Sequence, residues 1–96
     1  RDRWGAGVKG KITQSLASGL PVVTSRIGAE GLALENEITA LVEDENAAFA
    51  HAIARLLTDD VLWAHLSRNG HELAERQYSM GRLEETVKAL MNSDLK

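Results

Sequence analysis

The chain has 96 residues, which bounds it to one domain at most and allows a modest hydrophobic core. Its 44% hydrophobic and 26% charged residues are those of an ordinary soluble globular protein, and they exclude a disordered or membrane-embedded class. The formal net charge of -3 argues against a nucleic-acid partner, which a concentrated basic face would indicate.

The chain contains no cysteine, so it has neither a disulfide framework nor a thiolate metal site. This composition fits a reducing compartment, and we expect a cytoplasmic protein without a metal. No apolar run approaches the roughly 20 residues of a membrane span. Because the chain begins with Arg1 and not with Met, we expect it to be a segment of a longer polypeptide.

A helix followed by a strand is predicted near the start of the chain. Three apolar residues recur at intervals of four, namely Val8, Ile12 and Leu16. This spacing predicts a helix over residues 8–18, which Gly19 ends. The apolar, β-branched run at residues 20–24 is typical of a strand that is buried on both faces.

Beyond this strand the pattern changes twice. Residues 25–31 read SRIGAEG and predict a mobile glycine loop at the carboxyl end of the strand, where open α/β sheets bind their ligands. Residues 38–42 predict a second short strand. The sheet is therefore expected to have few strands, all of them parallel.

The second half of the chain predicts three amphipathic helices. Asp44 is the expected N-cap of the first, and Thr58 or Asp59 the cap of the second, which runs to about residue 76. Ser79 is the expected cap of a last helix to about residue 91. Together these elements predict an α/β class: a partial Rossmann-like domain of few parallel strands with flanking helices and a helical C-terminal half.

The glycine-rich turn before the first helix has the chemistry of a phosphate site. Its glycines let the backbone approach a ligand, and the helix start presents unpaired amides at the positive end of its dipole. Lys9 and Lys11 add positive charge, and the amide of Gln14 can bond a sugar hydroxyl. These features suit a phosphorylated sugar, although the same glycines could simply form a tight entry to a helix with both lysines solvated.

The segment over residues 9–32, KGKITQSLASGLPVVTSRIGAEGL, resembles the donor-binding half of glycosyltransferases of the GT-B fold, group 1 or family 4. QSLA at residues 14–17 and GLPVV at residues 19–23 carry this resemblance. Residues 40–60, ALVEDENAAFAHAIARLLTDD, resemble the strand and helix that follow in the family. The resemblance therefore covers nearly the whole chain.

The resemblance implies that residues 1–96 are one segment, the C-terminal portion of a nucleotide-sugar-binding domain. It implies hexosyl-type transfer from a nucleotide-diphosphate sugar, with no cofactor. The acceptor, a sugar, lipid or protein, would bind through an N-terminal domain that this chain lacks. The chain alone would thus hold no catalytic residue and be inactive, and the full-length protein would lie in the cytoplasm, at the inner face of a membrane.

The resemblance also implies roles for individual residues. The backbone amides of residues 7–10 and the Lys9 side chain would face the diphosphate, and Gln14 would face the ribose. The implied donor-binding residues are Gly5, Gly7, Val8, Lys9, Gly10, Lys11 and Gln14. Gly28 and Glu30 belong to a second loop that could approach the donor.

Two departures from the family pattern keep other interpretations open. The family commonly has two glutamates eight positions apart, where this chain has Ala6 and Gln14. A degenerate, non-catalytic interaction module is one alternative. A dinucleotide-binding Rossmann fragment is another, since residues 5–10 match its glycine pattern and Arg26 follows the next strand, but that pattern requires a strand before its first glycine. We expect the three histidines to be surface or packing residues.

Overall fold

The computed structural model of the protein describes residues 9–94. Its elements, in chain order, are α1 Lys9–Ala17, β1 Val23–Thr24, α2 Arg26–Gly31, β2 Leu41–Val42, α3 Asn46–Thr58 and α4 Asp60–Asp94. The two strands pair in parallel, with Val23 opposite Leu41 and Thr24 opposite Val42. The predicted class is confirmed: this is a partial α/β, Rossmann-like unit with a helical C-terminal half.

The sheet is buried on both faces. Neighbouring residues of a strand point to opposite sides of the sheet, and each side packs against its own hydrophobic core. Val22 lies in what we call the α1 core, whose buried members are Ile12, Leu16, Val22, Ala29, Leu32, Leu34, Ala40 and Ala74. Val23 lies in the α3 core, which consists of Val23, Leu41, Ala52, Leu56 and Leu66. The same alternation places Ala40 and Leu41 on opposite faces of the sheet. The predicted two-sided burial is therefore confirmed.

Helix α1 ends with the glycine signal that the sequence predicts. Gly19 has a φ of 83°, in the left-handed region that favours glycine. The amide of Gly19 donates to the Leu16 carbonyl at 3.0 Å, and the amide of Leu20 donates to the Ser15 carbonyl at 2.9 Å. This pair of bonds is the Schellman arrangement, which satisfies carbonyls at a helix C-terminus.

Helix α4 holds this turn from outside by side-chain hydrogen bonds. Ser67 Oγ donates to the Gly19 carbonyl at 2.6 Å. One turn later on the same face of the helix, His71 Nδ1 lies 3.0 Å from the carbonyl of Ala17, which can only accept. The connection between α1 and β1 is thus fixed by two residues of α4.

A second pair of α4 residues holds the connection into β2. His65 Nε2 lies 3.2 Å from the carbonyl of Glu37, and Asn69 Nδ2 donates to the carbonyl of Ile38 at 2.9 Å. Both pairs therefore contact loops that precede a strand, at the amino edge of the sheet.

The turn before β2 contains a backbone strain that an ion pair offsets. Glu37 has a φ of 69°, a conformation that costs a non-glycine residue roughly 1–2 kcal/mol. Both of its carboxylate oxygens accept from the Arg55 guanidinium, at 2.6 and 3.0 Å. These hydrogen bonds hold the pKa of the Glu37 carboxyl below its ordinary value of 4.5. Helix α3 thereby holds the same turn that α4 holds from its other side.

The strands are shorter than predicted, and two local predictions were wrong. Residues 25–31 do not form a mobile loop; all but the first form α2, because Ser25 caps the helix by accepting from the Gly28 amide at 3.3 Å. Asp44 does not cap α3, whose N-cap is Glu45. The carboxylate of Asp44 is instead occupied by the backbone amide of Arg26, at 2.9 Å.

The predicted break near Ser79 is also absent, and α4 continues for 35 residues. No proline interrupts this stretch. At the point where the break was predicted, Gln77 of α4 donates a hydrogen bond to the carbonyl of Leu32, just after α2, at 3.3 Å. The second half of the chain thus contains two helices and not three. The predicted start of the preceding helix is confirmed, since Asp59 accepts from the Leu62 amide at 3.0 Å.

The continued helix projects from the body of the protein. The structure measures 57 × 24 × 22 Å. Its radius of gyration of 16.0 Å exceeds the value of about 12.5 Å expected for a compact chain of this length. The apolar residues of the second half of α4 therefore remain exposed.

Packing of α1 against α4 predicts opposite effects at two glycines of α4. A Cβ on Gly70 would lie 2.9 Å from Leu16 Cδ2, within the α1 core, whereas a Cβ on Gly81 meets no described atom within 4 Å. Gly81→Ala should raise the free energy of unfolding by about 0.5–1 kcal/mol, the helix propensity difference. Gly70→Ala should not raise the free energy of unfolding, because overpacking the α1 core costs about 1–3 kcal/mol. Urea denaturation of both variants measures this difference, and equal stabilisation would contradict the packing.

A second glycine pair tests the contact between α2 and β1. A Cβ on Gly28 would lie 2.4 Å from Oγ1 of the buried Thr24, whereas one on Gly31 meets no described atom within 4 Å. We expect Gly28→Ala to lower the free energy of unfolding by about 1–3 kcal/mol. Gly31→Ala is the matched control in the same helix and should leave stability unchanged or slightly higher. A wild-type melting temperature for Gly28→Ala would show that α2 does not pack as described.

Candidate functional site

The carboxyl ends of β1 and β2 lie at the same edge of the sheet, because the strands are parallel. Ser25 and Arg26 follow β1 at this edge, and Glu43 and Asp44 follow β2. Helix α1 packs on the sheet, and a tight turn connects its C-terminal end to the start of β1. The helix and the strand therefore run in opposite directions, and the N-terminal end of α1 lies toward the carboxyl edge of the sheet. The first described residues of α1 and the residues of the predicted donor loop therefore lie toward the same side of the sheet, the side at which open α/β sheets bind ligands.

The described start of α1 is partly open to solvent. Lys9 is the first described residue of the helix, and Gly10, Lys11 and Gln14 are exposed. The amides of a first helical turn have no partner within the helix and carry the positive end of its dipole. An anion at the start of a helix meets such donors. Gly5, Gly7 and Val8, and with them Ala6, lie outside the described residues.

Gly10 has no packing role among the described residues. A Cβ built on it meets no described heavy atom within 4 Å. A glycine within a helix costs up to about 1 kcal/mol relative to alanine. The described structure therefore gives no packing reason for this glycine.

Gly28 differs from Gly10, because its packing against Thr24 accounts for it. It lies in the first turn of α2, and Glu30 is exposed near the end of the same helix. Both remain at the carboxyl edge as candidate donor contacts. The structure thus explains why residue 28 is a glycine without requiring a ligand.

A shallow cleft of about 310 Å³ lies at the same edge, where β2 ends and α3 begins; its lining residues are Arg26, Val42, Glu43, Asp44, Glu45 and Ala48. Asp44 ties the two strand ends together, because one of its oxygens accepts from the Arg26 amide and the other lies 3.1 Å from Arg26 Nη2. Three carboxylates and one guanidinium make the cleft negative overall. A phosphate is therefore better accommodated at the first turn of α1 than in this cleft.

The sequence did not predict this tie between the two strands. Asp44 directly follows an apolar run and precedes a helix, a pattern that favours the N-cap interpretation. Only the parallel pairing of β1 with β2 brings it to Arg26, which is 18 residues away.

The histidines and a larger groove lie away from this edge. His65 and His71 contact loop carbonyls and His51 is exposed, as expected for packing and surface residues. A groove of about 540 Å³ between α1 and α4 is lined by Thr13, Ala17, His71, Ala74, Glu75, Gln77, Tyr78 and Ser79. It opens beside the C-terminal end of α1, so this groove does not coincide with the candidate site.

Residues 9–94 contain no group of three or more histidine, aspartate or glutamate side chains that is arranged to hold a metal ion. In the same part of the chain, no helix combines the length and the apolar character that crossing a membrane requires.

Comparison with known proteins identifies the family. Residues 2–59 match the family model described as glycosyl transferases group 1. The chain is 30% identical over 69 residues to YtcC of Bacillus subtilis (strain 168), whose name assigns it provisionally to the glycosyltransferases. That match includes 69% of this chain but 17% of the relative, so the chain spans about a sixth of the relative's length. No solved structure matches the chain.

The family model covers more than half of the chain, including α1, both strands and α3. It thus includes the first turn of α1 and the carboxyl edge of the sheet. The chain belongs to the group 1 glycosyltransferases.

Proposed function

We propose that this chain is the C-terminal portion of the nucleotide-sugar-binding domain of a GT-B glycosyltransferase. In the reaction, the bond between the anomeric carbon of the sugar and the diphosphate breaks. A bond from that carbon to an acceptor oxygen forms, and the nucleoside diphosphate leaves. This chain binds the nucleoside diphosphate, and the acceptor, a sugar, lipid or protein, binds elsewhere in the full-length enzyme, which we place in the cytoplasm, at the inner face of a membrane.

The observation that carries this proposal is the open first turn of α1. The amides at the start of the helix and the exposed Lys11 provide positive charge there, in a chain whose overall charge is negative, and Lys9 is a further lysine at this end of α1. A diphosphate at this turn would contact the backbone closely at Gly10, which has no side chain to keep it at a distance. Together with Gly5, Gly7 and Val8, these residues form the proposed diphosphate site.

Gln14 is proposed to bond the nucleotide ribose. It is exposed one helical turn after Gly10, on the same face of α1. A ligand whose diphosphate lies at the first turn can therefore reach its side chain with the adjoining ribose. An amide both donates and accepts, so it can pair with a hydroxyl, although without the added strength of a carboxylate.

A second candidate function is a degenerate module that has lost donor binding. Ala6 and Gln14, at the positions where the family commonly has glutamates, favour it. This candidate function predicts that the chain binds no nucleotide. A titration with nucleoside diphosphates therefore distinguishes it from the first candidate.

Calorimetric titration of the chain with nucleoside diphosphates tests the proposal. We expect Gly10→Ala to weaken binding at least tenfold, which is about 1.4 kcal/mol. The same substitution should leave the free energy of unfolding equal or raise it by up to about 1 kcal/mol, because alanine favours the helix. Loss of affinity without loss of stability is the signature of a ligand contact.

Gly81→Ala is the matched control, because it adds the same methyl group at an open helical position in the projecting half of α4, away from the carboxyl edge. Gln14→Glu should retain or improve affinity, and Gln14→Ala should weaken it. Absence of binding by the wild-type chain would favour the degenerate module. Tighter binding of a nicotinamide dinucleotide than of any nucleoside diphosphate would favour a dinucleotide site.

A further inference from the structure

A side chain takes the place of a backbone carbonyl where the sheet ends. The pairing of β1 with β2 reaches Glu43, whose amide donates to the carbonyl of Thr24 at 3.0 Å. If this parallel ladder continued, the amide of Arg26 would donate to the Glu43 carbonyl. The chain enters α2 at Arg26 instead, and its amide donates to Asp44 Oδ1 at 2.9 Å. The start of α2 is thereby joined to the end of β2.

The two carboxylate oxygens of Asp44 make contacts of unequal weight. Oδ2 lies 3.1 Å from Arg26 Nη2, but the Arg26 side chain is 75% exposed and the Asp44 side chain 45%, so water screens this ion pair. Oδ1 accepts from a backbone amide that α2 cannot satisfy itself, because the first amides of a helix have no partner within it. The backbone contact, and not the guanidinium, therefore holds the helix.

Asp44 contacts the end of α2 that the hydrophobic core does not hold. Ala29, in the second half of this helix, is buried in the α1 core. Arg26 and Ile27, its first two residues, are exposed. Apolar packing therefore does little to fix the first turn of α2, and Asp44 supplies a polar contact to it from the neighbouring strand.

We propose that Asp44 is a positioning residue for the donor. By fixing the start of α2 at the carboxyl edge, it sets where Gly28 and Glu30 of that helix meet the sugar of a nucleotide-sugar. This inference rests on the proposed function, in which the diphosphate lies at the first turn of α1, so that the sugar is the part of the donor left for α2. Asp44 acts through the Arg26 amide and needs no contact with the ligand.

Amide hydrogen exchange of the full 96-residue chain, without any ligand, tests the hold on α2. Asp44→Ala should accelerate exchange at the amides of residues 26–29 about three- to tenfold, the range that one hydrogen bond contributes. Asp44→Asn keeps an oxygen that can accept from the amide, and its exchange should stay within about twofold of the wild type. Arg26→Gln keeps the backbone amide and should behave like Asp44→Asn. Circular dichroism checks that each variant keeps its helices.

Glu45→Ala is the matched control for the charge. Glu45 lines the same cleft as Asp44, and its side chain makes no capping bond to α3. Its removal takes one negative charge from the cleft and should leave exchange in α2 unchanged. Equal acceleration in Asp44→Ala and Glu45→Ala would assign the effect to the charge of the cleft and overturn the proposal. Acceleration in Arg26→Gln as large as in Asp44→Ala would overturn it as well.

Calorimetric titration with uridine diphosphate and with uridine diphosphate glucose tests the positioning role. Asp44→Ala should weaken binding of the nucleotide sugar about three- to tenfold and leave binding of uridine diphosphate within about twofold, because only the sugar reaches α2. Asp44→Asn should restore binding of the nucleotide sugar.

Two failures of this titration have different meanings. Equal loss of affinity for both ligands, or no loss for either, overturns the positioning role and leaves the proposed function standing. A wild-type chain that binds neither ligand contradicts the proposed function and the positioning role together, while hydrogen exchange still shows whether Asp44 holds α2.

Discussion

Hydrogen bonds from side chains of α4 to backbone carbonyls hold the rest of this structure together. The sheet has two strands of two paired residues each, and so small a sheet is not stable by itself. Ser67 and His71 fix the turn into β1, and His65 and Asn69 fix the turn into β2. Leu66 lies between these residues on α4 and is fully buried in the α3 core, so the polar contacts and the apolar core support the same arrangement.

This arrangement divides the two edges of the sheet by role. The amino edge is occupied by contacts with α4, and by the Glu37–Arg55 pair from α3. The carboxyl edge contains the open first turn of α1, the short helix α2 and the Asp44 tie to Arg26. The contacts that stabilise the fold therefore lie mainly at the amino edge, and the carboxyl edge remains accessible to a ligand. The proposed donor site at the carboxyl edge is therefore separate from the contacts at the amino edge that stabilise the fold.

The sequence predicted the features that depend on neighbouring residues. Helix α1, its end at Gly19 and the Asp59 cap each depend on residues within a few positions of one another. The contacts of α4 were not predictable, because they join residues between 28 and 54 positions apart. The same holds for Gly70, which is required by a close contact with Leu16, far away along the chain. Ser79 was predicted from a local pattern that was misleading. A residue type that favours the start of a helix also occurs inside one, and α4 continues through Ser79.

We propose that ligands bind at the carboxyl edge, beside the first turn of α1. Backbone amide chemical shifts of the nitrogen-15-labelled chain, followed during titration with a nucleoside diphosphate, test this site most directly. Binding at this edge predicts the largest shifts at residues 9–14, smaller ones at residues 25–28, and none at the turns of residues 17–19 and 37–38. Shifts concentrated at those two turns, or in the groove between α1 and α4, would contradict it.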